Sequence, residues 1–310
     1  MHDGFFNAYY DYLLRTIDDS KVFVHLSKNL RSSLTESDFG ALPTIAPPLD
    51  EQKRIAAFLD RECANIEAVI NRTRASIEEY AQLKQSIVVQ AVTKGIRSNR
   101  PMKQSGIEWL GEIPTDWGIN TIFQFFTQVN NKNSELQEKN LLSLSYGKIK
   151  RKNIETTEGL LPESFDGYNI IEADDIVLRL TDLQNDQKSL RVGISTERGI
   201  VTSAYVTMRN RSSSLPRYLY YYLHSFDVAK GFYGMGGGVR QGLNWDGLKW
   251  VKLLTPPVLE QKEIVDYCDE MTEKMDALIE KKERFIKELE NYKKSVIFEY
   301  VTGKKEVCTL

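Results

Sequence analysis

An internal repeat constrains this chain more than any other feature of its sequence. Residues 47–95 align without a gap with residues 256–304, at a constant offset of 209 positions. The first copy begins Pro-Pro-Leu-Asp-Glu-Gln-Lys-Arg-Ile and the second begins Pro-Pro-Val-Leu-Glu-Gln-Lys-Glu-Ile. The offset continues upstream, where Tyr9 aligns with Tyr218. Because self-similarity at a fixed offset determines architecture, the chain is predicted to carry one structural unit twice.

Each copy of the repeat is predicted to form one long helix. Prolines precede both copies, and neither Pro nor Gly interrupts them before Gly95 and Gly303. Apolar residues recur at alternating steps of three and four, which indicates a coiled coil, interrupted by Thr73 and Lys282. The two helices lie in one chain on either side of a folded domain, so an antiparallel pair is predicted. The alternative is that each helix packs on its own globular domain. The predicted interface residues are Leu59, Ile66, Val69, Ile77, Leu83, Ile264, Met271, Met275, Leu278, Phe285 and Leu289.

The segment between the repeats is predicted to be an α+β domain. Strand-type runs cover residues 141–146, 175–180, 201–208 and 248–254, and a helical stretch covers residues 216–226. Because the repeat continues upstream, the start of the chain is expected to be the end of another such domain, most of which would have preceded Met1. The predicted parts are a domain remnant (1–46), a first spacer helix (47–97), a complete domain (98–255), and a second spacer helix with a tail (256–310).

Composition excludes several classes of protein. The chain is 41% hydrophobic and 27% charged, and it shows no apolar run of membrane-spanning length. Its three cysteines and three histidines have no metal-ligand spacing, so no metal or cofactor is predicted and a reducing, cytoplasmic location is expected. The formal net charge of −2 does not by itself suggest a nucleic-acid ligand.

Five segments carry a resemblance to a known family. Residues 103–117 (Lys-Gln-Ser-Gly-Ile-Glu-Trp-Leu-Gly-Glu-Ile-Pro-Thr-Asp-Trp) resemble the opening of a target-recognition domain in type I restriction-modification specificity subunits. The Pro-Pro-x-x-Glu-Gln-Lys-x-Ile starts of both repeats resemble the entry to the spacer helices of that family, and residues 180–193 and 234–243 resemble its recognition domains.

This resemblance implies a non-catalytic protein. Its fold would be two recognition domains held apart by two antiparallel helices, each domain reading one half of a bipartite site in double-stranded DNA. The partners that it implies are the methylation and restriction subunits of a type I system. With one complete recognition domain, one copy is expected to read half a site, and a homodimer with two-fold symmetry would read a palindromic one.

The candidate DNA contacts fall into three groups, although each group is also typical of an ordinary solvated surface. A basic cluster near residue 148 suits phosphate contacts. A polar loop, residues 181–191, and the segment after a glycine-rich turn carry amide and guanidinium groups that suit base edges in the major groove. The candidates are Tyr146, Lys148, Lys150, Arg151, Thr181, Gln184, Asn185, Lys188, Arg191, Arg240, Gln241 and Asn244.

Two other classes of function compete with DNA recognition. The glycine-rich segment Phe-Tyr-Gly-Met-Gly-Gly-Gly at residues 232–238 superficially resembles the loop of a methyl-donor site, but the strand, helix and catalytic motif of a methyltransferase are missing around it. The second alternative is a coiled-coil interaction protein, or an inactive remnant, without specific DNA binding.

Overall fold

A computed structural model describes residues 4–23, 35–40, 42–153, 164–183, 186, 189–236 and 242–307. The chain divides into two compact units, the first made of Met1–Ala81 with Asp276–Leu310 and the second of Gln82–Met275. The helices in the described part are α1 (Asn7–Asp19), α2 (Glu36–Gly40), α3 (Leu49–Lys94), α4 (Ile122–Phe125), α5 (Pro216–Val228), α6 (Trp245–Leu248) and α7 (Val258–Val301).

The strands in the described part of the chain belong to the second unit and pair antiparallel. They are β1 (Met102–Gln104), β2 (Glu112–Pro114), β3 (Gly118–Thr121), β4 (Phe126–Gln128), β5 (Leu142–Ser145), β6 (Lys148–Arg151), β7 (Asn169–Ile171), β8 (Ile176–Leu178), β9 (Val192–Ile194), β10 (Gly199–Val201), β11 (Val206–Asn210) and β12 (Lys252–Thr255). Small sheets with helices confirm the predicted α+β class.

The two long helices, α3 and α7, match the predicted repeat copies and contribute to both units. α3 ends where Gly95 adopts a φ of +78°, a conformation that favours glycine. A Cβ at Gly95 would also lie 2.9 Å from an Arg100 guanidinium nitrogen and 3.3 Å from the Trp117 ring. Glycine is therefore favoured at this helix end, mainly by its backbone conformation and in addition by the close approach of these side chains. None of the described helices has an apolar stretch long enough to cross a membrane.

Within the first unit, the parts of α3 and α7 that belong to it pack antiparallel. The Phe58 and Tyr300 rings lie 4.4 Å apart between centroids, and Glu67 pairs with Lys293 at 2.6 Å. Residue numbers thus rise along α3 as they fall along α7. The helix α1 packs against the same pair through a buried apolar cluster. That cluster comprises Tyr9, Tyr12, Leu13, Ile55, Ala56, Leu59, Cys63, Val296, Ile297 and Val301.

The phase of the predicted coiled-coil interface is partly wrong. Leu278 and Phe285 are 40% and 44% exposed, whereas their neighbours Ile279 and Ile286 are half-buried. Leu83, another predicted interface residue, is 46% exposed. Both columns of α7 are apolar, and the column with Ile279 and Ile286 is the more buried of the two. Of the remaining predicted interface residues, those that are buried or half-buried are Leu59, Ile66, Val69, Ile77, Ile264, Met271, Met275 and Leu289.

The second unit is built on a four-stranded antiparallel sheet in the order β4-β11-β8-β9. The helix α5 covers this sheet, and its buried Tyr218 and Tyr222 join one apolar cluster with Ile176 and Met208. Two predicted strands differ from the structure. The run 201–208 is divided between β10 and β11 by a turn, and the start of the run 248–254 belongs to α6 and the turn after it.

Repeat-related residues make the same contacts in the two units. The hydroxyl of Tyr9 donates to the carbonyl of Val301 at 3.0 Å, and that of Tyr218 donates to the carbonyl of Val92 at 3.5 Å. Both members of each pair differ by the repeat offset, so the repeat is structural as well as sequential. Equivalent hydrogen bonds join Tyr12 to Asp60 and Tyr221 to Asp269, and Gln52 to Pro47 and Gln261 to Pro256.

Candidate nucleic-acid interface

The basic cluster lies on a hairpin whose tip is tightly specified. β5 and β6 are joined by Tyr146 and Gly147, which adopt φ values of 47° and 76°. Two consecutive positive φ angles are typical of the two-residue turn that matches the twist of a hairpin. The side chain of Tyr146 is 72% exposed at this tip.

The side chains of β6 differ in their availability. Lys148 and Lys150 are exposed and lie opposite Ser145 and Ser143 on the solvent face of the hairpin. Arg151 is exposed as well, but its Nε lies 2.9 Å from both carboxylate oxygens of Glu197 and lowers the pKa of that carboxyl. The cation of Arg151 is thus already paired, while Lys148 and Lys150 present their charge to solvent.

The hairpin tip is joined to the loop that connects β8 and β9, residues 179–191, here named the β8–β9 loop. The backbone N–H of Gly147 donates to the carbonyl of Leu190 at 3.1 Å. A Cβ at Gly147 would lie 3.1 Å from the Leu190 Cβ, so only glycine allows this approach without a shift. Two of the predicted DNA-contact groups therefore lie side by side.

Arg191 was predicted to contact DNA, and the structure contradicts this. Its side chain is fully buried, and its guanidinium donates to the carbonyls of Arg179, Thr181, Asp182 and Asp186 at 2.5 to 3.2 Å. An arginine within a polar loop is predicted from sequence to face solvent, but here the loop folds around the Arg191 side chain. Arg191 holds the loop together and is not available to DNA.

Two residues that the sequence did not single out surround Arg191. The hydroxyl of Tyr233 accepts from Nε of Arg191 at 3.4 Å and donates to the carbonyl of Asp186 at 3.2 Å. The carboxylate of Asp227, on α5, accepts from the backbone N–H of Arg191 at 2.5 Å. Burial raises the pKa of Asp227 to about 6, against the lowering effect of this hydrogen bond and of the Arg191 charge. The only sequence signal for Tyr233 was its place in the glycine-rich segment.

The other predicted contacts are placed as follows. Thr181 is exposed on the β8–β9 loop. Asn244 is exposed too, and its side chain caps α6 by accepting from the N–H of Gly247 at 3.1 Å. The remaining candidates lie outside the described residues: Gln184, Asn185, Lys188, Arg240 and Gln241. No group of three or more metal-ligand side chains is found in the part of the chain that the structure describes.

The two most distinctive sequence motifs meet in the second unit. Trp117, at the end of the 103–117 motif, is buried and its Nε1 donates to the carboxylate of Glu260 at 3.2 Å. Glu260 belongs to the second Pro-Pro-x-x-Glu-Gln-Lys-x-Ile motif and also pairs with Arg100, whose guanidinium lies 5.6 Å from the Trp117 ring. Both motifs thus join the β1–β3 region of the second unit to the start of α7.

Comparison with known proteins gives a consistent result. No family model matches the sequence. The chain is 26% identical over 306 residues to a protein named as the MjaX type I restriction enzyme specificity subunit of Methanocaldococcus jannaschii, covering 96% of this chain and 68% of that protein. It is 28% identical over 280 residues to the MjaVIII specificity subunit of the same organism, covering 85% of this chain and 62% of that protein.

Two solved structures share the fold. A chain from a structure of a type I restriction-modification system, described by its complex assembly and conformational transition, matches with a TM-score of 0.66 at 15% identity, over 94% of this chain and 70% of that one. The HsdS subunit from Thermoanaerobacter tengcongensis matches with a TM-score of 0.50 at 16% identity, over 96% and 70% of the two chains.

The fold that the chain shares with these two structures is an α+β unit with repeat-related long helices. The two curated relatives, at 26% and 28% identity, are specificity subunits of type I restriction enzymes, so both the relatives and the fold support the resemblance to that family that the sequence shows.

Proposed function

We propose that this chain recognises a sequence in double-stranded DNA and carries that recognition into a complex with the methylation and restriction subunits of a type I system. The observation that carries the proposal is the contact between Gly147 and Leu190. It brings an exposed tyrosine and two exposed lysines, at the tip and on one strand of a hairpin, next to a polar loop. Phosphate contacts and base contacts require such neighbouring groups.

The charge distribution favours a DNA-binding surface that this chain forms together with a partner subunit over one that it forms alone. Residues 101–255 contain 18 basic and 17 acidic residues, so this region has no large basic surplus. Affinity for DNA that depends on phosphate neutralisation would then come partly from the methylation subunit. The chain would supply the preference for one base sequence. We infer that chemistry resides in the partner subunits.

The proposal is tested with the chain in complex with the methylation subunit of its system. The complex is mixed with a library of duplexes that carry a random central segment, and the bound duplexes are sequenced. An enriched motif is the expected result. Absence of any enrichment, with the complex intact, would contradict the proposal and favour a coiled-coil adaptor or an inactive protein.

A second measurement tests the hairpin. Replacing both Lys148 and Lys150 by Ala should weaken binding to all sequences alike, because phosphate contacts carry no base information. The slope of log affinity against log salt should fall by about 0.9 for each lost contact, or about 2 in total. Replacement of Lys139 and Lys252, which are exposed and lie outside the hairpin, is the matched control and should leave the slope unchanged. An unchanged slope in the hairpin variant would remove these lysines from the interface.

A further inference from the structure

The buried guanidinium of Arg191 is saturated by the loop that surrounds it. An arginine side chain has five N–H donors. Here Nη1 donates to Arg179 and Thr181 and Nη2 to Asp182 and Asp186, all at backbone carbonyls, while Nε donates to the hydroxyl of Tyr233. Every donor is used, and four of the five fix the backbone of the β8–β9 loop.

Bonds to carbonyls specify conformation more narrowly than bonds to side chains. A carbonyl can point at the guanidinium only when the φ and ψ angles on either side of it are set, so four such bonds constrain the loop at four positions. The planar geometry of the guanidinium further fixes the directions of these carbonyls. A lysine at this position would keep the charge but offers three donors from a single atom. It therefore satisfies fewer of the carbonyls and leaves the loop with more than one arrangement.

Tyr233 closes the arrangement from a second segment. Its ring centroid lies 5.3 Å from the Arg191 guanidinium, and its hydroxyl joins Nε of Arg191 to the carbonyl of Asp186. The turns around Tyr233 belong to the glycine-rich segment that superficially resembles a methyl-donor loop. The structure gives this tyrosine a different use, since it braces the β8–β9 loop.

The backbone of Arg191 fixes the position of the same loop in the unit. Its N–H donates to Asp227 on α5, and its carbonyl accepts from the N–H of Arg179 at 2.9 Å, which closes the base of the loop. The preceding residue, Leu190, accepts from Gly147 at the hairpin tip. One buried residue and its neighbour thus join the loop, the hairpin and the helix α5.

We propose that Arg191, braced by Tyr233 and anchored by Asp227, is a positioning residue that determines which base sequence the chain prefers. This inference rests on the proposed DNA-recognition function. Arg191 touches no DNA itself. It acts by holding the exposed face of the β8–β9 loop in register with the hairpin tip, so that polar groups of both meet the DNA in one geometry.

This role has a signature that differs from that of a phosphate contact or of a general stabilising residue. Arg191→Lys keeps the net charge, so the salt dependence of binding should stay as in the wild type. Loss of one fixed loop geometry should reduce the preference for the enriched motif over random duplexes by about tenfold, the size of one lost base contact. Affinity for random duplexes should change little.

The matched control is Arg209→Lys. Arg209 lies on β11 of the same unit and pairs with both carboxylate oxygens of the buried Asp175, at 2.8 and 2.6 Å, and within the described residues its side-chain hydrogen bonds go to Asp175 and not to the β8–β9 loop. This variant should lower the thermal midpoint of unfolding and leave the motif intact. Tyr233→Phe is a milder second variant, because it removes only the hydroxyl. It should reduce the preference in the same direction but less, by about threefold, because the hydroxyl's bonds to Nε of Arg191 and to the Asp186 carbonyl are lost while the four guanidinium–carbonyl bonds remain. This variant also serves if Arg191→Lys does not fold.

The experiment sequences duplexes selected from the random library by each complex and fits the salt dependence of each. A blurred motif with an unchanged salt slope in the Arg191 or Tyr233 variant, and a retained motif in the Arg209 variant, supports the inference. A wild-type motif in the Arg191 and Tyr233 variants overturns it and leaves the proposed function standing. Equal blurring in the Arg209 variant also overturns it, because general destabilisation then explains the effect. A wild-type complex that enriches no motif overturns the proposed function and this inference with it.

Discussion

Gln261 joins three segments of the second unit through one buried side chain. Its Oε1 accepts from the N–H of Leu215 at 2.9 Å, and its Nε2 donates to the carbonyl of Pro256 at 2.9 Å and to Oγ of Ser214 at 3.1 Å. Gln261→Ala leaves these three groups without their partner, and the Pro256 and Ser214 groups are buried. At about 1–3 kcal/mol for each unsatisfied buried group, the free energy of unfolding should fall by about 3–5 kcal/mol.

The repeat supplies a matched variant in the first unit. Gln52 is equally buried and also makes three bonds: its Oε1 accepts from the N–H of Phe6 at 2.8 Å, and its Nε2 donates to the carbonyls of Pro47 at 2.7 Å and Gly4 at 3.1 Å. These partners are half-buried or exposed, so water can replace the amide. Gln52→Ala should therefore lower the free energy of unfolding by only about 1–2 kcal/mol.

The assay is urea-induced unfolding followed by tryptophan fluorescence and, in parallel, by helical circular dichroism. All four tryptophans lie in the second unit, so fluorescence reports that unit selectively. Gln261→Ala should shift the fluorescence midpoint strongly, whereas Gln52→Ala, in the unit without tryptophan, should shift the circular-dichroism midpoint weakly. Equal shifts, or a loss below about 1 kcal/mol in Gln261→Ala, would refute the argument that the burial of the partners determines the difference. The tryptophans are Trp109, Trp117, Trp245 and Trp250.

Three further changes test individual contacts. Burial raises the pKa of Asp227 from 3.8 to about 6. The protonated carboxyl therefore adds about 3 kcal/mol to the free energy of unfolding below pH 3.8, and this contribution is lost as the pH rises through 6. Relative to wild type, Asp227→Asn should gain stability with rising pH in urea titrations from pH 4 to 7. Burial lowers the pKa of His224 from 6.5 to about 4, so the contribution of the neutral imidazole to the free energy of unfolding is lost as the pH falls through that range. In the same titrations, the free energy of unfolding of His224→Gln should therefore fall less steeply with falling pH than that of the wild type. Lys282 is half-buried at the helix interface, with Nζ 5.4 Å from the centre of the Tyr80 ring. A polar residue at such a position specifies the register of the helices at a cost in stability. Lys282→Leu should therefore raise the thermal midpoint of unfolding and produce new oligomers, which light scattering would detect.

The helices and their repetition were predictable from the sequence because their signals are local. Prolines before residue 49 and a glycine at residue 95 delimit α3 whatever the rest of the chain does. The alignment of Tyr9 with Tyr218 likewise predicted that the two tyrosines occupy equivalent positions in the structure. Their hydroxyls donate to the carbonyls of Val301 and Val92, which differ by the same 209 residues. Because both partners of each contact are repeated in the sequence, the contact is repeated in the structure.

The phase of the helix interface was not predictable, because two neighbouring columns of α7 are apolar. Leu278 and Phe285 form one column, and Ile279 and Ile286 form the other. Either column satisfies a heptad pattern, and the choice between them depends on the surface of the partner helix. Hydrophobic periodicity identifies an apolar helix face and leaves its centre uncertain by one residue.

The candidate site was predicted only where exposure is a local property. Lys148 and Lys150 alternate with apolar residues on a strand, so their exposure follows from the pattern. Arg191 looks the same in sequence, and its burial depends on carbonyls from as far away as Arg179 and on a tyrosine 42 residues downstream. Only the folded loop shows that one basic residue faces solvent and the other faces the backbone.

The close approach of Gly147 to Leu190 has a consequence for any attempt to transplant DNA preference between relatives. The hairpin tip contacts the β8–β9 loop directly through the backbones of Gly147 and Leu190. A change in loop length therefore cannot be accommodated there by a different side-chain conformation. A loop transferred alone would arrive without the turn and the tyrosine that match it. The unit of exchange is therefore a discontinuous block, comprising the hairpin, the loop with Arg191, and the segment from Asp227 to Tyr233. Grafts that respect this block should transfer a preference intact, and grafts of the loop alone should yield folded chimaeras without one.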